Sequence, residues 1–141
     1  MDIDTFAAFQ ELIEKNIPFN AFLGIKLLSL EPGVCKLSIP FRQELIGDVR
    51  RGALHGGVIS TLIDTCGGFA VWSMCKVTDK IATIDLRVDY LKPAISADLI
   101  AEARVRLLGN RVGNASTIIF MSGEPNQVVA EGRSVYNVRR G

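Results

Sequence analysis

The chain has 141 residues, enough for one domain with a core of its own and too few for two of ordinary size. Hydrophobic residues make up 48% and charged residues 22%, which excludes extended disorder. Sixteen Lys and Arg against fifteen Asp and Glu leave a net charge of +1, and no basic run exceeds a pair. That balance excludes a general nucleic-acid binder.

The opening residues, MDIDTFAAFQELIEKN, are acidic and lack a basic segment followed by an apolar block, so they do not read as a signal peptide. From Thr5 to Lys15, Phe6, Phe9, Leu12 and Ile13 fall on one helical stripe, with Asp4 as the candidate N-cap. Pro18 and Gly24 punctuate the stretch after Lys15. Two apolar runs, Ile25 to Leu30 and Val34 to Phe41, are split by Glu31-Pro32-Gly33, a hairpin signal. Arg42 to Ala53 is polar and without a period, and reads as a loop entering a long helix.

Val58 to Cys75 is an eighteen-residue apolar segment with Asp64 as its only charge. Its length touches the lower limit of a membrane span, but a central acid is costly in lipid, so the expectation is a buried helix. Alternation then takes over. Ile84, Leu86, Val88 and Tyr90 interleave with Asp85, Arg87 and Asp89; Leu99, Ala101, Ala103, Val105 and Leu107 line one face of the next strand. Gly109-Asn110-Arg111 forms a turn, and Ser116 to Met121 and Val128 to Val138 are two more strands. Strands joined by short turns imply an antiparallel sheet, which must cover the apolar helix in an α+β layer.

Cys35, Cys66 and Cys75 form no Cys-x-x-Cys pair and read as reduced thiols of a cytoplasmic protein, with no metal site among them. No Gly-x-Ser-x-Gly, phosphate-binding loop or His pair occurs, so serine, P-loop and metallohydrolase chemistries fall away. His55, the only histidine, begins His-Gly-Gly directly before the long helix. The two glycines either expose backbone N–H groups to a developing oxyanion or simply permit a tight junction. Asp64 shares its helix face with Ser60, Thr61, Gly67 and Gly68, all small. Either it meets a substrate or it is satisfied at a helix contact. His55 and Asp64 are nine residues apart, about half a turn out of phase on a helix. A dyad within one chain is therefore not expected, and a site assembled from two subunits is.

At LHGGVISTLIDTCGG followed by TIDLRVDYLKPA the sequence resembles the hotdog-fold acyl-CoA thioesterases of the phenylacetyl-CoA thioesterase type, over roughly Ile25 to Val138. The resemblance implies an α+β hotdog fold, a curved antiparallel sheet wrapped around one long central helix. Residues 1–141 would form one such domain, with residues 1–20 as a helical extension. It further implies homodimers or homotetramers with sites at the subunit interface, an acyl-CoA substrate, no cofactor besides the coenzyme A of that substrate, and no membrane partner. By position Asp64 matches the catalytic acid, acting as general base or nucleophile. Gly56 matches the N–H that polarises the carbonyl, His55 a group that positions the carbonyl or leaving thiolate, and Thr83 a hydroxyl that orients water. Gly57, Tyr90, Lys92, Pro93, Ala94 and the Gly109-Asn110-Arg111 turn match substrate contacts. Where members often carry Asn or Gln shortly before the His, this chain has Val49, and Asp48 beside it is the candidate replacement. An acyl-CoA binder without turnover, and an enoyl-thioester hydratase, are the alternative readings.

Overall fold

The computed structural model describes residues 1–141. Helix α1 (Ile3–Glu11) is capped by Asp2, whose Oδ1 accepts from the Thr5 N–H at 2.8 Å. The cap thus lies two residues before the expected Asp4, because it is Asp2 that has extended backbone with the Thr5 N–H within reach. The helix does not run on regularly to Lys15. Leu12–Asn16 forms a wide turn closed by Ile17 N–H to Leu12 O at 3.2 Å. Pro18, expected only as punctuation, instead opens a second short helix, α2 (Pro18–Leu23), at the position where its missing N–H costs nothing. Gly24 ends α2 with φ of 75°, the left-handed C-cap that glycine accepts without strain.

Strands β1 (Lys26–Glu31) and β2 (Val34–Ile39) form the expected hairpin. The polar stretch after them holds a miniature hairpin of its own, β3 (Ile46–Asp48) with β4 (Ala53–Leu54), which carries the chain to helix α3 (Gly56–Trp72). Helix α3 stops at Trp72, so Cys75 lies in the turn beyond it rather than in the helix. Strands β5 (Lys80–Tyr90), β6 (Leu99–Leu108), β7 (Val112–Met121) and β8 (Val128–Arg139) complete the chain. The large sheet is antiparallel in the order β1-β2-β6-β7-β8-β5, and α3 packs against its inner face. This is the curved sheet around one central helix that the hotdog fold requires. No helix is long and apolar enough to cross a membrane.

Leu62, Ile63, Cys66 and Ala70 of α3 are fully buried against Leu37, Leu99, Ala101 and Ile119 of the sheet. Burial pushes the Cys66 thiol well above its ordinary range. Two β-bulges alter the faces expected from alternation. One between Thr83 and Asp85 turns Ile84 outward, 58% exposed, and one between Val105 and Leu107 leaves Leu107 68% exposed. Strand β5 lies at the sheet edge, paired only to β8.

Asp79, buried just before β5, accepts from the N–H groups of Lys76 and Gly141 at 2.9 and 3.0 Å and from Arg140 Nη1 at 3.2 Å. The Gly141 N–H foremost, then Lys76 and Arg140, hold its carboxyl below the ordinary carboxylate range. A depressed value in the folded state stabilises the fold fully above the unfolded carboxylate's pKa of about 3.9, and that contribution disappears as pH falls through the folded value. Asp79→Asn is therefore expected to melt below wild type at neutral pH, the gap closing as acid is added. Equal melting temperatures at neutral pH would contradict this.

Candidate active site

Two clefts flank α3. The first lies at its N-terminus, where β4 delivers the chain into His55. His55 is the N-cap, and its Nδ1 accepts the Gly57 N–H at 2.7 Å. A histidine that accepts at Nδ1 carries its proton on Nε2, so the exposed edge of the ring is a donor. The Val58 N–H bonds back to His55 O at 2.9 Å. The Gly56 N–H is left with no partner in the chain, at the positive end of the helix dipole. Gly57, expected among the substrate contacts, therefore has its N–H engaged by His55 instead.

Gly56 lines a cleft of about 280 Å³ with Arg51, Ile59, Tyr90, Lys92 and Pro93. Tyr90 lies against Gly56, donating from its hydroxyl to Gly56 O at 3.1 Å, and a Cβ at Gly56 would come within 3.2 Å of its ring. Ala94 also lines this cleft, but it is 1% exposed and its carbonyl accepts the Leu54 N–H, so it offers little surface to a ligand. Asp48 faces Arg50, accepting its N–H at 3.1 Å and pairing with its Nε at 3.6 Å. It lines neither cleft.

The second cleft, about 250 Å³, lies midway along α3. Asp64 is half-buried there, and Thr83 on the edge strand donates from Oγ1 to its Oδ1 at 2.7 Å. Oδ2 has no protein partner. The walls are largely apolar: Ile17 from the N-terminal arm, Phe69 and Trp72 from α3, and Ile81 from β5. The groove of small residues expected around Asp64 is partly filled. Tyr136 of β8 packs over Gly67 and Gly68 and donates to the Asp64 carbonyl at 2.6 Å. A Cβ at Gly67 would fall 2.5 Å from Ser134 Oγ and 2.6 Å from Tyr136 Oη, so only glycine allows that approach. Burial pushes the Tyr136 phenol far above its ordinary range, which keeps it a hydrogen-bond donor.

Two residues of this cleft escape a reading of the sequence. Tyr136 anchors the backbone of Asp64. Asn20 of α2 is 3% exposed with its side-chain Nδ2 unpartnered, a costly state that a bound water or polar ligand atom would relieve. Trp72, at the end of α3, is half-exposed and lines the cleft with them. Alternation along β8 signals that Tyr136 points inward, but nothing in the sequence signals what it meets.

The structure brings His55, Gly56, Tyr90, Lys92 and Pro93 together, and Asp64 together with Thr83. It does not unite the two sets: Gly56 and Asp64 are separated by eight residues of helix, about 12 Å along the axis. The Gly109-Asn110-Arg111 turn lies beyond the opposite end of α3. Gly113, just after it, packs on Val71, and the carbonyls of Gly109 and Asn110 accept from Arg140. Arg111, Arg139 and Arg140 line a basic hollow there. No three His, Cys, Asp or Glu side chains converge anywhere in the fold.

A model of the thioesterase superfamily matches residues 51–124, from the loop before His55 into the turn after β7. The chain is 37% identical to a Halobacterium salinarum protein that carries a provisional esterase name, over 99% of this chain and 96% of that one. It is 26% identical to the medium/long-chain acyl-CoA thioesterase YigI of Escherichia coli, over 91% of this chain and 90% of that one. A thioesterase family protein of Silicibacter pomeroyi superposes with a TM-score of 0.87 at 23% identity, over 96% of this chain and 99% of that one, which speaks to the fold alone. The chain belongs to the thioesterase superfamily. It is a thioester hydrolase.

Proposed function

We propose that the chain hydrolyses acyl-CoA thioesters in the cytoplasm, as one hotdog domain with residues 1–20 as a helical extension, at a site completed by a second copy. The observation that carries this is the pairing of a half-buried Asp64, bonded to Thr83, with a Gly56 N–H that has no partner and lies about 12 Å away along the same helix. An oxyanion donor must lie about 3 Å from the carbonyl oxygen, and a base must reach the carbonyl carbon directly or through one water, a span well short of that separation. One chain cannot satisfy both; a neighbouring copy can. The edge strand β5, with Thr83, Ile84 and Asp85 exposed along it, offers an unpaired ladder for that copy.

In this reading Asp64 Oδ2 takes a proton from water, the water oxygen bonds to the thioester carbon, and the carbonyl oxygen accepts the Gly56 N–H of the other copy. The tetrahedral adduct then expels the thiolate as the C–S bond breaks, and the thiolate takes the proton held by Asp64. His55 Nε2–H is a donor suited to the oxyanion or the sulfur. Direct attack by the Asp64 carboxylate, through an anhydride that water then opens, uses the same atoms. Thr83 fixes Oδ1, so Oδ2 is the reacting oxygen in either case. Arg51 and Lys92, lining the Gly56 cleft, suit the phosphates of coenzyme A. The Gly109-Asn110-Arg111 turn serves that end only if another copy presents it. The chain needs no cofactor for this chemistry.

The Asp64 cleft takes an apolar acyl group; the likeness to YigI supports a medium or long chain, and the small volume of the cleft, about 250 Å³, favours the shorter. Thiol release from a panel of acetyl-, octanoyl-, palmitoyl- and phenylacetyl-CoA tests the reading. The expected result is turnover with the highest kcat/KM on octanoyl-CoA. Tight binding of the esters without thiol release would overturn it in favour of a binder.

A further inference from the structure

Trp72 lies between two hollows. One is the Asp64 cleft, whose far end is Phe69 and Trp72. The other is an apolar groove of about 370 Å³ between α1 and the end of α3, lined by Ala8, Phe9, Leu12, Trp72 and Val77. The indole is held in place from several sides. It stacks on Phe69 at 5.6 Å and 21°, Phe9 meets it edge-on at 5.5 Å, and its Nε1 donates to Lys76 O at 3.2 Å.

Resting on the acyl-CoA reading above, we infer that Trp72 is the wall that sets the length of acyl chain this enzyme accepts. The groove on its other side is a continuation of the acyl site from which the indole separates it. Trp72 is eight residues beyond Asp64, about 12 Å along the helix. That distance admits about ten bonds of extended chain, taking about 3.5 Å for every three bonds. A longer chain meets the indole. With the indole removed, the cleft runs into this groove, whose apolar side chains suit the remaining methylenes.

The test is the ratio of kcat/KM for palmitoyl-CoA to that for octanoyl-CoA. Trp72→Ala is expected to raise it about tenfold or more, the scale on which pocket contacts discriminate apolar groups. Trp72→Leu, which keeps more packing against Phe9, should raise it in the same direction. Ala8 is exposed on the groove's far wall, so Ala8→Trp added to Trp72→Ala should cancel the gain. Alone, it should leave the wild-type profile unchanged. An unchanged ratio in both Trp72 variants, with octanoyl-CoA turnover retained, would overturn the inference and leave the acyl-CoA reading intact. A gain that Ala8→Trp fails to cancel would also overturn it. A wild type inactive on every ester would overturn the acyl-CoA reading, and this inference with it.

Discussion

Asp64→Asn and Asp64→Ala are expected to lose thioester turnover by about a thousandfold or more, within the range that a positioned acid or base contributes. Asparagine preserves the shape of the side chain and can still accept from Thr83 Oγ1 at 2.7 Å. It cannot take a proton from water or form an anhydride. Because the part proposed for the carboxylate is played during bond making, KM should move little while kcat falls. Thr65, Gly68 and the apolar walls of the proposed acyl site are untouched by either change. The measurement is thiol release on protein shown by circular dichroism and size to be folded and assembled. Activity within about tenfold of wild type in Asp64→Asn would place the reacting group elsewhere.

The second large effect is restoration of activity by mixing two inactive proteins. Gly56 occupies the first position of α3, where proline is well tolerated, and His55 before it has φ of −61° and ψ of 136°, the extended backbone a following proline requires. Gly56→Pro therefore removes the unpartnered N–H while leaving the helix in place. Its one close neighbour would be the Tyr90 ring, a side chain able to shift. Loss of a single oxyanion donor should lower kcat by about a hundredfold to a thousandfold. Gly56→Pro and Asp64→Asn chains, unfolded together and refolded as a mixture, form mixed dimers in which one site carries both lesions and the other carries none. Random pairing makes about half the dimers mixed, so about a quarter of wild-type activity should return. A site contained within one chain would give no recovery, and that outcome would remove the second copy from the mechanism.

Several elements are legible in the sequence because their causes are local. A histidine followed by two glycines and an apolar run makes a capped helix start wherever it occurs, and the donor inventory of that terminus depends on neighbours in the chain. Asp64 stands out as the only charge in an apolar segment. The hairpin between β1 and β2, the succession of four later strands along the chain and the inward face of β8 are set by alternation and turn residues. Where alternation fails, the cause is a bulge. One added residue reverses every side chain beyond it, and nothing in Thr83 to Asp85 or Val105 to Leu107 marks the slip.

The composition of the Asp64 cleft belongs to the tertiary structure. Ile17 and Asn20 come from an arm more than forty residues before Asp64, and Thr83 and Tyr136 from two strands beyond it. The sheet order decides that these strands lie side by side, with β8 beside β5 rather than beside a sequence neighbour alone. The length and apolarity of α3 determined that a sheet must cover it. Which side chain of that sheet would anchor Asp64, and which aromatic of the helix would face a cleft instead of the core, depended on packing between segments distant in the chain. Burial constrains each segment's apolar pattern, while the pairing of one segment's face with another's is a property of the assembled fold.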